Sequence, residues 1–158
     1  MVLLLDSGPL GLITNPQGGA EAQACKAWLQ DLTPAGHIAL FPEIIAYEHR
    51  RELLLANLAQ AITRLDGFKS VGAYLPVSEE AYLRAAALWA SARRQGIPTQ
   101  GIPTADRFAL DADVILAAQA VTLNPGDWGQ PNAAVVIATT NVGHLGRFAN
   151  ARLWRGIP

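Results

Sequence analysis

The sequence holds one cysteine, Cys25, among 158 residues, so no internal disulfide can form. Cys25 has no Cys or His partner at metal-ligand spacing, and it reads as a small buried residue in a helical stretch. A chain with so little cysteine suits a reducing compartment. Charge is scarce too: 16% of residues are Asp, Glu, Lys or Arg, and the formal net charge is −1. That balance gives no overall attraction to nucleic acid or to anionic membranes, so contact with either would need a local patch. Arg147, Arg152 and Arg155 near the C-terminus, and the pairs Arg50–Arg51 and Arg93–Arg94, are the candidates, at a density ordinary for surfaces. Long apolar runs are also missing. Nothing approaches the ~18 residues of a membrane span, and the opening Met-Val-Leu-Leu-Leu-Asp lacks a basic leader region. The expectation is a soluble, cytoplasmic protein with no membrane partner. His37, His49 and His144 show no metal-binding pair.

What the chain does have is core material. Hydrophobic residues make up 51% of it, enough for one domain over residues 1–158 to bury a proper interior unaided. Val2–Leu5 is an uninterrupted apolar run, the pattern of a strand buried on both faces of a parallel sheet. Residues 21–32 read as an amphipathic helix with Ala24, Trp28 and Leu32 on its packed face, stopped by Thr33-Pro34-Ala35-Gly36. A strand is expected over 37–41. A long helical region starts at Pro42 and resumes through 54–65, ending near Asp66-Gly67. A short strand within 71–77 precedes Ser78-Glu79-Glu80, a clear helix start. That helix reaches about Arg94, with Tyr82, Ala86, Trp89 and Arg93 on one face and Trp89 in the core. The tetrapeptide Gly-Ile-Pro-Thr occurs twice over 96–104 and marks a loop containing the nearby Asp106. A second loop spans 124–132 with Trp128 as an exposed aromatic, and 133–138 is the best strand of the second half. Arg152-Leu153-Trp154 suggests a last strand. Strands alternating with helices argue for an α/β sandwich around a mainly parallel sheet.

The polar residues worth singling out stand at the ends of these apolar elements. Asp6 ends the first strand, where open α/β sheets bind ligands; it equally suits the cap of a helix with Pro9 in its first turn. Glu48 lies one helical turn along from Ile44 and Ile45, at the edge of an apolar stripe or inside a polar site. Glu43 and Glu52 read as ordinary first-turn and solvent-facing acids. Asp111 and Asp113 open the stretch 109–120, an acidic helix start followed by apolar residues. Asn141 ends the strand after Thr139 and Thr140, with His144 in the turn that follows. Clustered carboxylates stay ionised together only if a cation compensates them, and hard oxygen ligands select Mg²⁺ or Mn²⁺. Such a site lowers the pKa of a water and stabilises a phosphoryl transition state.

Four segments together resemble the PIN-domain ribonucleases, particularly toxin subunits of the VapBC type. They are Leu3-Leu4-Leu5-Asp6-Ser7, Ile45-Ala46-Tyr47-Glu48, Asp113-Val114-Ile115-Leu116-Ala117-Ala118-Gln119-Ala120, and Thr139-Thr140-Asn141 with His144 and Phe148. Each is short, but they occur in the family's order and span nearly the whole chain. The resemblance implies a PIN-like three-layer sandwich, with Asp6, Glu48 and Asp113 as acidic metal ligands and Ser7 supporting Asp6. Asn141 would take a fourth position that is often acidic, orienting water more than binding the ion. It also implies an Mg²⁺- or Mn²⁺-dependent endoribonuclease acting through metal-activated water, a homodimer, and an antitoxin covering the site. Two departures matter: Asp111 adds an acid that could replace or assist Asp113, and both loops are longer than is common. The competing expectations are a PIN-like module that binds RNA or protein without cutting, and a phosphotransferase with Asp111 or Asp113 as nucleophile.

Overall fold

The structure is a computed structural model that describes residues 1–70, 73–97 and 111–158. The second Gly-Ile-Pro-Thr copy and Asp106 lie outside the described residues.

The sheet is built around the first strand. β1 (Val2–Leu5) has all four residues at 0% exposure, so helices cover it on both faces. Fully burying each such side chain contributes about 1.5–3 kcal/mol, which is why so short a run can anchor the fold. β1 pairs in parallel with β2 (Ile38–Pro42) on one side and with β4 (Val135–Thr139) on the other. β3 (Tyr74–Leu75) extends the β2 edge and β5 (Ala151–Leu153) the β4 edge, giving the order β3-β2-β1-β4-β5. Every pairing is parallel, and the register sets Val2 beside both Ile38 and Val135.

The helices are α1 (Ser7–Thr14), α2 (Ala20–Leu32), α3 (Glu43–Leu55), α4 (Ala59–Ser70), α5 (Glu79–Arg94), α6 (Ala112–Thr122) and α7 (Val142–Leu145). α6 is the central one: Val114 through Ala120 are all buried, matching its charge-free sequence. No helix among the described residues is long and apolar enough to cross a bilayer.

Several boundaries and faces differ from expectation for identifiable reasons. The long helical region divides into α3 and α4 at Asn57, which takes φ 54°. Asn57 N–H donates to Leu54 O and Leu58 N–H to Leu53 O, the double closure of a helix end with a left-handed residue after it. α4 continues past Asp66-Gly67 to Ser70. On α2 the buried side chains are Ala22, Cys25 and Leu32, while Ala24 is exposed; Trp28 is half-buried and packs on Trp154. On α5 the buried residues are Ala81, Ala85 and Ala92, not Tyr82 and Trp89, which are exposed. α5 packs closely on α6, and small alanines allow that approach where a large aromatic would hold the helices apart. Trp128 is half-buried in a short 3-10 turn and packs against the core, so it is not the expected exposed aromatic. Cys25 is fully buried, and burial pushes its thiol up to about 11, the inert state expected of it.

Candidate active site

The strand order reverses between β1 and β4, and parallel α/β sheets open a crevice beyond the carboxyl ends of the strands at that point. Asp6 follows the last residue of β1, and Thr139 is the last residue of β4. Asp6 is 6% exposed, and both its oxygens are engaged. Oδ1 accepts from Ser7 N–H at 2.6 Å and from Ser7 Oγ at 3.4 Å; Oδ2 accepts from Thr139 Oγ1 at 2.6 Å. Asp6 therefore caps α1 and also faces the crevice, so its two sequence readings are compatible. Thr139 Oγ1 in turn accepts from Asn141 N–H at 2.8 Å, which directs its own proton to Asp6.

Glu48 comes from α3, a turn beyond the buried Ile44 and Ile45. Its carboxyl is pushed up to about 7, by burial first, then by the charges of Asp113 and Asp6 and, more weakly, Glu52; Arg51 pulls the other way. The fields of Asp113 and Asp6 thus meet at Glu48, and α3, α6 and the end of β1 bring three acids to one side of the molecule.

Asp113 lies in the first turn of α6, where its charge suits the helix dipole. Its Oδ2 is 3.1 Å from His144 Nε2, an ion pair when the imidazole is protonated. His144 is buried on α7, not in an open turn, and Phe148 meets its ring edge-on at 5.9 Å. Asp111 stands at the cap position of α6, yet its side chain makes no capping hydrogen bond; its carbonyl accepts from Val114 and Ile115. Asn141 is exposed at the start of α7, its backbone tied to Thr139.

By chemistry three carboxylates and an amide oxygen suit a hard divalent cation, and Glu48 is raised by burial first and then by the negative charges of Asp113 and Asp6. As placed, Asp6 accepts hydrogen bonds from Ser7 and Thr139, and Asp113 lies at ion-pair distance from His144. Among the described residues no three of His, Cys, Asp and Glu stand together as a group able to hold a metal ion.

For two residues quoted in the sequence reading, the contacts were not legible there. Thr139 was visible only as a polar strand end, and its pairing with Asp6 depends on the β1–β4 register, Leu5 beside Ala138. The contact of His144 with Asp113 depends on how α7 returns over α6. Glu43, read as an ordinary first-turn acid, accepts from Tyr74 Oη and Val77 N–H, both at 3.0 Å, and so ties α3 to the β3 edge. His49 is turned from the site: its Nε2 lies 2.8 Å from Thr14 Oγ1, and burial lowers its pKa. Among the arginines, Arg155 pairs with Glu21 at 2.7 Å and Arg50 pairs with Asp66.

No protein-family model matches the sequence, and no curated protein matches it significantly. Solved structures do match. A chain of VapBC2 from Rickettsia felis, solved bound to a DNA fragment from their promoter, aligns with TM-score 0.64 at 12% identity, covering 96% of this chain and 98% of its own. VapBC-1 from nontypeable Haemophilus influenzae gives 0.62 at 16% identity, covering 98% and 99%. FitAcB from Neisseria gonorrhoeae gives 0.56 at 19% identity, again covering 98% and 99%. The chain therefore has the fold of the matched VapBC and FitAcB chains, the PIN-like α/β architecture that its four short segments implied.

Proposed function

We propose that this chain is an Mg²⁺- or Mn²⁺-dependent endoribonuclease, the toxin of a toxin–antitoxin pair. The observation that carries the reading is the Glu48 carboxyl, pushed up to about 7 by burial first and then by the charges of Asp113 and Asp6, close to the strand-order reversal. A concentration of negative charge in a half-buried crevice is costly unless a cation offsets it. Asp6, Glu48 and Asp113 would hold the ion, with Asn141 orienting water and Asp111 close by. When bound, the ion would supply Lewis acidity that eases deprotonation of water and offsets charge on a phosphodiester in its transition state. The protein's own residues set the stage for this: Thr139 and Ser7 orient Asp6, and His144 holds Asp113. The matched structures are VapBC and FitAcB assemblies, which supports a partner antitoxin, and the reading includes a homodimer and a cytoplasmic setting.

One observation favours a second reading, a PIN-like module that binds RNA or protein without cutting. Asp6 accepts hydrogen bonds from Ser7 and Thr139, and Asp113 stands at ion-pair distance from His144, so these carboxylates have protein partners as they stand. The phosphotransferase reading has less support, because Asp113 sits within a helical turn and not on a strand-end loop.

Cleavage of a mixed RNA pool by purified protein, with Mg²⁺, with Mn²⁺ and with a chelator, separates the readings. Metal-dependent cutting that disappears in Asp6→Asn and Asp113→Asn, with both variants folded, is the expected result. RNA or partner capture with no cutting under either metal would establish the binding module instead.

A further inference from the structure

The helix that brings Glu48 to the crevice carries two further side chains beside it. Tyr47 precedes Glu48, and Arg51 follows one turn on, so that around α3 the arginine falls between the tyrosine and the acid. Tyr47 is 51% exposed, and among the described residues its hydroxyl has no hydrogen-bond partner. Arg51 lies over its ring, with Cζ 5.3 Å from the ring centroid. Arg51 is itself exposed and forms no ion pair among the described residues, yet its charge reaches Glu48 and opposes the rise in that carboxyl's pKa. The rim of the crevice therefore holds a cation that an aromatic face positions and no acid neutralises.

Other arginines do not share this combination. Arg50 pairs with Asp66, and Arg155 with Glu21. Arg93 lies over Trp89 at 5.2 Å in the same one-turn arrangement on α5, but its charge is not among those that act on Glu48.

A cation at the rim has a physical use. Three carboxylates outweigh one divalent ion, and the chain as a whole carries −1, so an approaching phosphodiester is repelled unless a fixed positive charge meets it. A guanidinium keeps its charge at any working pH and presents forked N–H pairs to phosphate oxygens. A half-exposed phenol ring next to it offers an unpaired base a surface to stack on.

We propose that Arg51 and Tyr47 bind the RNA strand at the mouth of the crevice, Arg51 through a phosphate flanking the one presented to the acids and Tyr47 by stacking on a base. The inference takes its substrate class from the nuclease reading and adds two residues to it. Bases inside a duplex are already stacked, so single-stranded RNA is the form that this pair selects.

The test is fluorescence anisotropy with a labelled mixed-sequence RNA strand, single and annealed, in chelator across a salt series. Arg51→Gln should weaken single-strand binding roughly fivefold to tenfold and reduce the slope of log affinity against log salt by about 0.7, as for one lost phosphate contact. Tyr47→Leu should weaken it about tenfold with the slope unchanged, Tyr47→Phe should bind as the parent does, and the duplex should bind more weakly than the strand. Arg93→Gln is the control and should change little. Mn²⁺ affinity should not fall in Arg51→Gln, which removes a charge that repels the ion; a collapsed crevice would lose it. Parent-like binding by Arg51→Gln and Tyr47→Leu, an equal loss in Arg93→Gln, or no saturable binding by the parent would each overturn the proposal. RNA cutting that Asp6→Asn abolishes and Arg51→Gln leaves untouched would sink this inference and keep the nuclease reading. Binding that depends on Arg51 with no cutting under either metal would do the reverse.

Discussion

The hydroxyl of Thr139 donates to Asp6 Oδ2 at 2.6 Å across 133 residues of sequence, locking the ends of the two strands that flank the crevice. Thr139 is fully buried, and its oxygen also receives the Asn141 amide, so one side chain sets the acid and the loop carrying the fourth polar residue. Thr139→Val keeps the shape and deletes both interactions. It should cost about 1–3 kcal/mol of stability, since a buried carboxylate loses a donor. It should lower metal-dependent RNA cleavage roughly 10- to 100-fold, the range seen when a ligand's supporting partner is lost. Thr139→Ser should restore cleavage to near the parent rate, with thermal melting run alongside. Equal rates for Thr139→Val and the parent protein would show that Asp6 needs no such positioning.

His144 faces the other acid as an ion pair, its Nε2 3.1 Å from Asp113 Oδ2. Removing it as His144→Ala should weaken Mn²⁺ affinity roughly 10- to 100-fold by leaving Asp113 unoriented, while RNA binding in chelator stays as in the parent. Calorimetric Mn²⁺ titration and an RNA gel shift read the two effects separately. Unchanged Mn²⁺ affinity would assign the His144–Asp113 contact to packing of α7 on α6 alone.

Glu48 predicts a pH dependence with a definite sign. Its carboxyl titrates at about 7 in the fold against 4.5 ordinarily, so between those values the native state holds a proton that the unfolded state releases. Metal-free stability attributable to Glu48 must therefore fall as pH rises from about 4.5 to about 7 and stay lost above it. The loss should be on the order of 1–3 kcal/mol. Glu48→Gln removes that decline. Urea unfolding of parent and variant in chelator at several pH values measures the difference, which also cancels the opposite trend from His49, whose depressed pKa makes acid destabilising. Adding Mn²⁺ at pH above 7 should stabilise the parent more than the variant, because the charge that the fold resists is the charge that the ion uses.

Periodicity carried the fold further than it carried the site. β1 and α6 were legible because an element buried all round leaves an unbroken apolar run, as Val2–Leu5 and the stretch after Asp113 do. α5 misled because helical spacing alone does not say which of two faces is inward. The aromatics Tyr82 and Trp89 suggested one face, and the close approach to α6 selected the alanines of the other. Asp6, Glu48 and Asp113 were legible from their places at the ends of apolar elements, and their mutual field at Glu48 agrees with that placement. Thr139 and His144 were not, because a hydroxyl and an imidazole acquire their roles only when register and helix return bring a carboxylate to them. Asn141 and Asp111 stand at helix starts, yet neither side chain makes a capping bond there.

Gly8 makes the closest approach to the crevice wall. A Cβ built on it would collide with the Oγ1 and Cγ2 of Thr140 and stand 3.1 Å from its Cβ, because the first turn of α1 lies against the end of β4. Gly8→Ala should therefore force either α1 or the 139–141 segment outward, costing about 1–3 kcal/mol as overpacking does. Asp6 and Thr139 sit on the two sides of that contact, so cleavage should fall more steeply than stability. Thr140 is exposed, and Thr140→Ala alone should be nearly silent. In the double variant the hydroxyl and methyl are gone, and most of the lost stability and activity should return. A double-mutant cycle on melting and on cleavage measures that coupling. Simple additivity would mean that Gly8 matters for backbone freedom and not for its contact with Thr140.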